Sequence, residues 1–168
     1  MTRRRAAGAL LTGACLLGAI AVVALLWPAL RAQDARAREQ AYRLNNIGVA
    51  RLEQYDYKAA ADAFRQAFAS PGAPVFARVN RAVALYYDNQ LEDAEREARA
   101  AATAQPNAPQ PPYVLGLIAR AAGRSGDAVE HFRRVLAIDA NDVGAKIQLG
   151  QVLTADRQFA EEIGRAHV

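Results

Sequence analysis

Few side chains in this sequence are equipped for covalent or acid–base chemistry. There are two histidines, His131 and His167, and one cysteine, Cys15. A hydrolytic triad needs a nucleophile, a base and an acid brought into hydrogen-bond reach. His131 stands between Glu130 and Phe132 on a stretch whose apolar spacing puts it on a solvated helix face, with no Ser, Cys or acid placed to complete a triad. Asp139-Ala140-Asn141-Asp142 has the carboxylates of a calcium loop but not its glycine or its distal bidentate glutamate, so it reads as a capping turn. A single cysteine excludes an internal disulfide and a cysteine-based zinc site. The expectation is a chain that is not an enzyme, with no cofactor and no metal. What remains is recognition, which depends on the elements that position its side chains.

Charge narrows the partners. The chain has 168 residues and a net charge of +4. Arg3, Arg4, Arg5 and Arg31 lie in the first 32 residues, which hold no acid; the remainder carries 17 basic and 17 acidic side chains. The basic excess therefore belongs to the N-terminal tail, which argues against a nucleic-acid footprint on the folded part. The composition, 52% hydrophobic and 23% charged, fits a globular helical protein.

The 25 residues 6–30 contain no charge. As a helix they would span about 37 Å, more than the hydrocarbon core of a bilayer. Three arginines precede the run and Trp27 stands near its far end, where an amphipathic ring favours the headgroup layer. A cleaved signal peptide has a shorter apolar region and a small residue three before the cut, where Leu30 would stand. The run is predicted to be a transmembrane signal anchor, with secretion after cleavage as the alternative. Cys15 reads as a residue of that helix. The basic tail 1–5 should stay inside. This predicts a bacterial inner-membrane protein, N-terminus cytoplasmic, with the folded part periplasmic or extracellular. Residues 31–40, rich in Ala and Arg, are predicted to form a helical, solvated neck.

The rest repeats. Ala60, Ala94 and Ala128 are 34 residues apart, and Gly48, Ala82, Gly116 and Gly150 keep the same period. Phe64 and Phe132 fall in register with Ala98 between them, and Ile47, Leu115 and Leu149 precede the small residue, a column broken by Arg81. The small residues would let two helices of one unit approach, and the two Phe would fill the space between neighbouring units. Apolar residues recur at three and four, as in Ala60, Ala63, Phe64, Ala67 and Phe68. The predicted helices are 41–54, 57–69, 75–88, 91–104, 111–122, 125–137 and 143–155. Pro71-Gly72-Ala73-Pro74, the stretch from Pro106 to Pro112, and Asp139-Ala140-Asn141-Asp142 break them. Pro111 and Pro112 suit a helix start.

The period and these columns resemble the tetratricopeptide repeat (TPR), a 34-residue helix-turn-helix unit with an early Gly, then Ala, an aromatic and a closing Pro. The resemblance implies an all-α, right-handed α-solenoid preceded by one transmembrane helix. Its units would be 41–74, 75–108 and 109–142, with a partial fourth over 143–161. The first helix of each unit would line a concave face. Carried onto this chain, the inward positions are Tyr42, Asn45, Val49, Leu52 and Glu53; Phe76, Val79, Val83, Tyr86 and Tyr87; Gln110, Tyr113, Leu117, Arg120 and Ala121. Asn46 and Asn80 add amides. Large aromatics bury area with few rotors, so a contact cluster of Phe76, Tyr86, Tyr87 and Tyr113 is expected. Family members that clamp a C-terminal carboxylate do so with basic residues where this chain has Asn45, Gln110 and Val114, which implies that such a tail is not captured here.

The partner expected from this resemblance is a protein or peptide, with the membrane met only through the N-terminal helix and neither nucleic acid nor a small-molecule substrate. The chain is thus predicted to be a membrane-anchored scaffold. The alternative is the non-catalytic N-terminal part of a larger envelope protein or enzyme. The stretches around Tyr42 to Ala50 and Tyr113 to Arg120 are similar to the N-terminal repeats of bacterial membrane-anchored proteins that continue into FG-GAP/ASPIC-type β-propellers. The repeat pattern stops at Glu162, and Gly164 should break the helix. Glu162-Ile163-Gly164-Arg165-Ala166-His167-Val168 matches the translation of a short-read sequencing adapter, so 162–168 are expected to be a non-native tail, leaving His167 without a role.

Overall fold

The computed structural model describes residues 30–70 and 72–166, with side chains through 157. The basic tail 1–5, the expected span 6–30 but for its last residue, and the side chains of the 162–168 tail lie outside that description. Among the described residues no helix is long and apolar enough to cross a membrane.

Seven helices and no strand occur among the described residues. They are α1 (30–53), α2 (Tyr57–Ala69), α3 (Phe76–Tyr87), α4 (Leu91–Ala104), α5 (Gln110–Ala121), α6 (Ser125–Ile138) and α7 (Val143–Ala166). The neck is helical, mostly exposed and continuous with the first helix of the array. Six of the seven expected helices agree to within a residue or so over the repeats. The last does not: α7 runs unbroken from Val143 to Ala166, past the break expected after 155 and through Gly164.

The three turns inside the units are copies of one another. Tyr55, Asn89 and Gly123 have φ of 60°, 58° and 72°. The amides of Asp56, Gln90 and Arg124 donate to the carbonyls of Arg51, Leu85 and Ala119, and those of Tyr55, Asn89 and Gly123 to Leu52, Tyr86 and Arg120. This double bond with a left-handed residue is the Schellman ending of a helix, which satisfies its last carbonyls and reverses the chain. Helix starts are fixed by caps: Asp56 Oδ1 accepts from the amide of Ala59 at 3.2 Å, and Asp142 Oδ1 from that of Ala145 at 2.7 Å. The expected capping role of the 139–142 turn holds, with Asp139 Oδ1 also accepting from the Asn141 amide at 2.9 Å. Pro111 and Pro112 sit in the first turn of α5.

Packing follows the small-residue column. A methyl group added to Gly48 would lie 2.5 Å from the Phe64 ring, and one added to Gly116 would lie 2.6 Å from the Phe132 ring. Each ring is fully buried. The two Phe are therefore seated on the glycine of their own unit, and each also shares a core cluster with the first helix of the next unit, Phe64 with Val79 and Ala82 and Phe132 with Val152, as expected of rings that fill the space between units. In the second unit both partners shrink, with Ala82 and Ala98 fully buried in one core cluster that runs from Ala60 on α2 to Ile118 on α5. At Gly150 nothing lies within 4 Å of an added methyl. Each second helix packs on the first helix of the next unit, α2 on α3, α4 on α5 and α6 on α7, and α3 also packs on α5. The first helices thus form one inner layer.

Candidate functional site: the inner helix face

The inner layer is tied across units by side chains expected to face a ligand. Asn80 Nδ2 donates to Asn45 Oδ1 at 3.0 Å, joining α3 to α1. Arg120 Nη1 donates to Gln151 Oε1 at 2.9 Å, joining α5 to α7. Tyr42 and Phe76 meet edge to face with centroids 6.0 Å apart. They remain 45% and 44% exposed, so the pair is an apolar surface presented to solvent, not core. Asn46 and Val49 are exposed beside it on α1, with Glu53 one turn further on.

Other expected groove residues have a different place. Asn45, at 5% exposure, and Val79 are buried and form the floor. Leu52, Val83 and Tyr86 pack partly buried against the core cluster. Gln110 and Ala121 are exposed at the two ends of α5.

The expected cluster of Phe76, Tyr86, Tyr87 and Tyr113 divides into three. Phe76 belongs with Tyr42. Tyr113 packs on Phe132 at 5.8 Å, and with Leu117 it lies against the third unit's core. Its hydroxyl and ring stand 3.1 and 3.2 Å from where a Gly144 methyl would be, so it also fills the joint with α7. Tyr87 contacts Tyr86 at 5.2 Å and stacks on Tyr57 at 5.3 Å, and Tyr57 meets Tyr55 edge to face at 6.3 Å. Sequence reasoning missed Tyr55 and Tyr57 because it searched only the first helix of each unit. Spacing along one helix carries no signal for them, because their place depends on how the turn returns Tyr57 to stack on Tyr87 of α3. The result is a tyrosine row along the turn edge of the stack, with Tyr87 54% exposed.

Electrostatics tie the units together and correct one further expectation. Arg81, which breaks the apolar column, is half-buried with Nη1 2.7 Å from Glu97 Oε1 on α4, while Arg78 lies 3.8 Å from both Glu97 and the Phe68 ring centre. Glu95 pairs with Arg99 of its own helix and also receives Arg124 of the next unit in a two-pronged contact at 2.6 and 3.3 Å. The hydrogen bond from Arg124 holds the Glu95 carboxyl below its ordinary value. Arg96 pairs with Asp93. His131 is half-buried, not on a freely solvated face, and burial followed by the Arg99 charge pushes its pKa down.

No protein-family model matches the chain, and no curated protein matches it in sequence. Solved structures do. The first TPR domain of human RPAP3 superposes with a TM-score of 0.68 at 20% identity, covering 72% of this chain and 95% of that one. The Arabidopsis OM64 TPR domain gives 0.67 at 18% identity, covering 71% and 98%. The first TPR of Spaghetti (RPAP3), bound to HSP90 peptide SRMEEVD, gives 0.65 at 20%, covering 70% and 93%. At these identities the likeness shows the fold, a stack of tetratricopeptide repeats.

Proposed function

We propose that this chain is a non-catalytic, membrane-anchored scaffold whose inner helix face holds an extended segment of another protein. The observation that carries this reading is the Tyr42–Phe76 pair, nearly half exposed on adjacent first helices and flanked by the amides of Asn46 and Asn80. Aromatic surface beside amides suits a peptide whose side chains are apolar and whose backbone needs partners. The Spaghetti domain with its HSP90 peptide is a stack of similar shape with peptide bound. Asn45, Gln110 and Val114 leave no basic residue at those positions, so the segment taken here is apolar or aromatic and not an acidic C-terminal tail. The tyrosine row extends the same face toward the turn edge.

A photo-crosslinking amino acid at position 76 or 46 should trap a partner in the native membrane, and the same group at the exposed Asp62 on α2 should trap it far less. Equal or stronger capture from position 62 would overturn the assignment. For the setting, the reading is an inner-membrane anchor over 6–30 with the repeats outside the cytoplasm, supported by the charge-free run and the preceding arginines. A reporter active only in the cytoplasm, fused after the array, should stay silent, and strong activity would reverse the orientation.

A further inference from the structure

Away from the inner-face residues, α4, α5 and α6 line a cavity of about 470 Å³. Its apolar wall is Pro106, Pro112 and Leu115; its polar rim is Arg99, Thr103, His131 and Arg134. No acid lines it, and none of the inner-face residues reaches it. Thr103 Oγ is committed to the Arg99 carbonyl at 3.0 Å, and Arg99 is shared with Glu95. Among the described residues Arg134 forms no salt bridge, and it is exposed at the cavity mouth.

We propose that this cavity is a second binding site, which takes an acidic side chain together with a neighbouring apolar side chain from a peptide. The carboxylate would meet the Arg134 guanidinium and the His131 N–H, while the apolar neighbour covers the proline and leucine wall. A guanidinium free of an internal carboxylate is the group that gains most from a carboxylate ligand. The cavity volume is that of a site for a ligand with a body, not for a bare ion. A phosphate ion would use the rim and leave the apolar wall wet. This site is independent of the inner face and of any partner held there.

His131 reports occupancy. The charges around it are Arg99 and Glu95 from α4, with Asp127, Glu130 and Arg134 on its own helix; α5 contributes only Pro112 and Leu115 to the cavity. A bound carboxylate adds a negative charge beside the ring and raises its pKa. The test uses the full chain in mild detergent and three probes: acetyl-Leu-Glu-Leu-amide, its Gln counterpart, and inorganic phosphate. Imidazole NMR signals are assigned with His131→Gln. The Glu peptide should bind about tenfold more tightly than the Gln peptide, the effect of one charge-assisted hydrogen bond. It should also raise the His131 midpoint by about 0.5 pH unit. Arg134→Gln should abolish that preference while leaving the helical circular dichroism unchanged. Equal binding of the two peptides, an unmoved His131, or phosphate binding as tightly as the Glu peptide would each overturn the proposal.

Discussion

Gly116 and Gly150 occupy the same column of the repeat, yet their surroundings make opposite demands. A methyl on Gly116 would sit 2.6 Å from the buried Phe132 ring, whereas one on Gly150 meets nothing within 4 Å. Overpacking of a core typically costs about 1–3 kcal/mol. Replacing an exposed helical glycine by alanine gains about 1 kcal/mol. Gly116→Ala should therefore lower the urea midpoint and Gly150→Ala should raise it. Adding Phe132→Ala to Gly116→Ala reproduces the Ala82/Ala98 arrangement, so the double variant should lose less than the sum of the singles. The sequence made the column legible, because period alone exposes it. It did not reveal that the glycine matters only where its own second helix brings a ring. Arg81 is the same lesson in charge: it looked like a broken column until Glu97 appeared 2.7 Å away on the facing helix. Removing one member of a mostly buried pair strands the other. Glu97→Ala should cost about 2 kcal/mol, and Arg81→Leu/Glu97→Leu together should recover most of it, read from the same denaturation curves.

At the scale of elements, helix limits were readable wherever the chain carries a breaker or a good cap. Pro111 and Pro112, Asp56 and Asp142 all stand where the structure uses them. The failure at α7 has a local cause. The left-handed turn residue recurs at 55, 89 and 123, and the next in that series is Arg157, a good helix former. With no ring seated on Gly150 to hold a second helix in place, nothing in the described structure demands a reversal there, and the helix continues. The tyrosine row was illegible for a related reason. Its stacking depends on how sharply the first turn returns the chain, which spacing along one helix does not report. That turn is built on Tyr55, a bulky side chain held at φ 60° and left 77% exposed. A left-handed conformation costs an ordinary L-residue about 1–2 kcal/mol. Tyr55→Asn keeps a residue that tolerates this conformation and gives up only the edge contact with Tyr57. It should raise the melting temperature by a few degrees, the equivalent of about 0.5–1 kcal/mol, and a fall would show that the ring contact outweighs the backbone strain.

At the scale of the molecule, the described units pack on their neighbours in the chain, so stability rests on the joints as much as on the units. The joint between the second and third units carries a titratable link, Glu95 held by Arg99 from its own helix and by Arg124 across the joint. Close by, burial and then the Arg99 charge hold the His131 pKa below its ordinary value. The two groups set the acid limb of stability in separate windows. His131 has its folded pKa below the ordinary 6.5, so between that lowered value and 6.5 the unfolded chain binds more protons. Stability then falls as pH drops through this window and is flat above it. Glu95 has its folded pKa below the ordinary 4.5, so its contribution is complete above that pH and is lost as pH falls through the lowered value. Urea midpoints measured from pH 7.5 down to 3.5 should therefore decline in two stages. His131→Gln should flatten the first stage and leave the second. Glu95→Gln should lower stability at pH 7 and flatten the second, because an amide cannot take up the proton that uncouples Arg124. The cost of Glu95→Gln at pH 7 should also shrink in 1 M salt, where the screening length falls to about 3 Å. A decline of equal slope in wild type and both variants would mean that the acid limb is set elsewhere in the array.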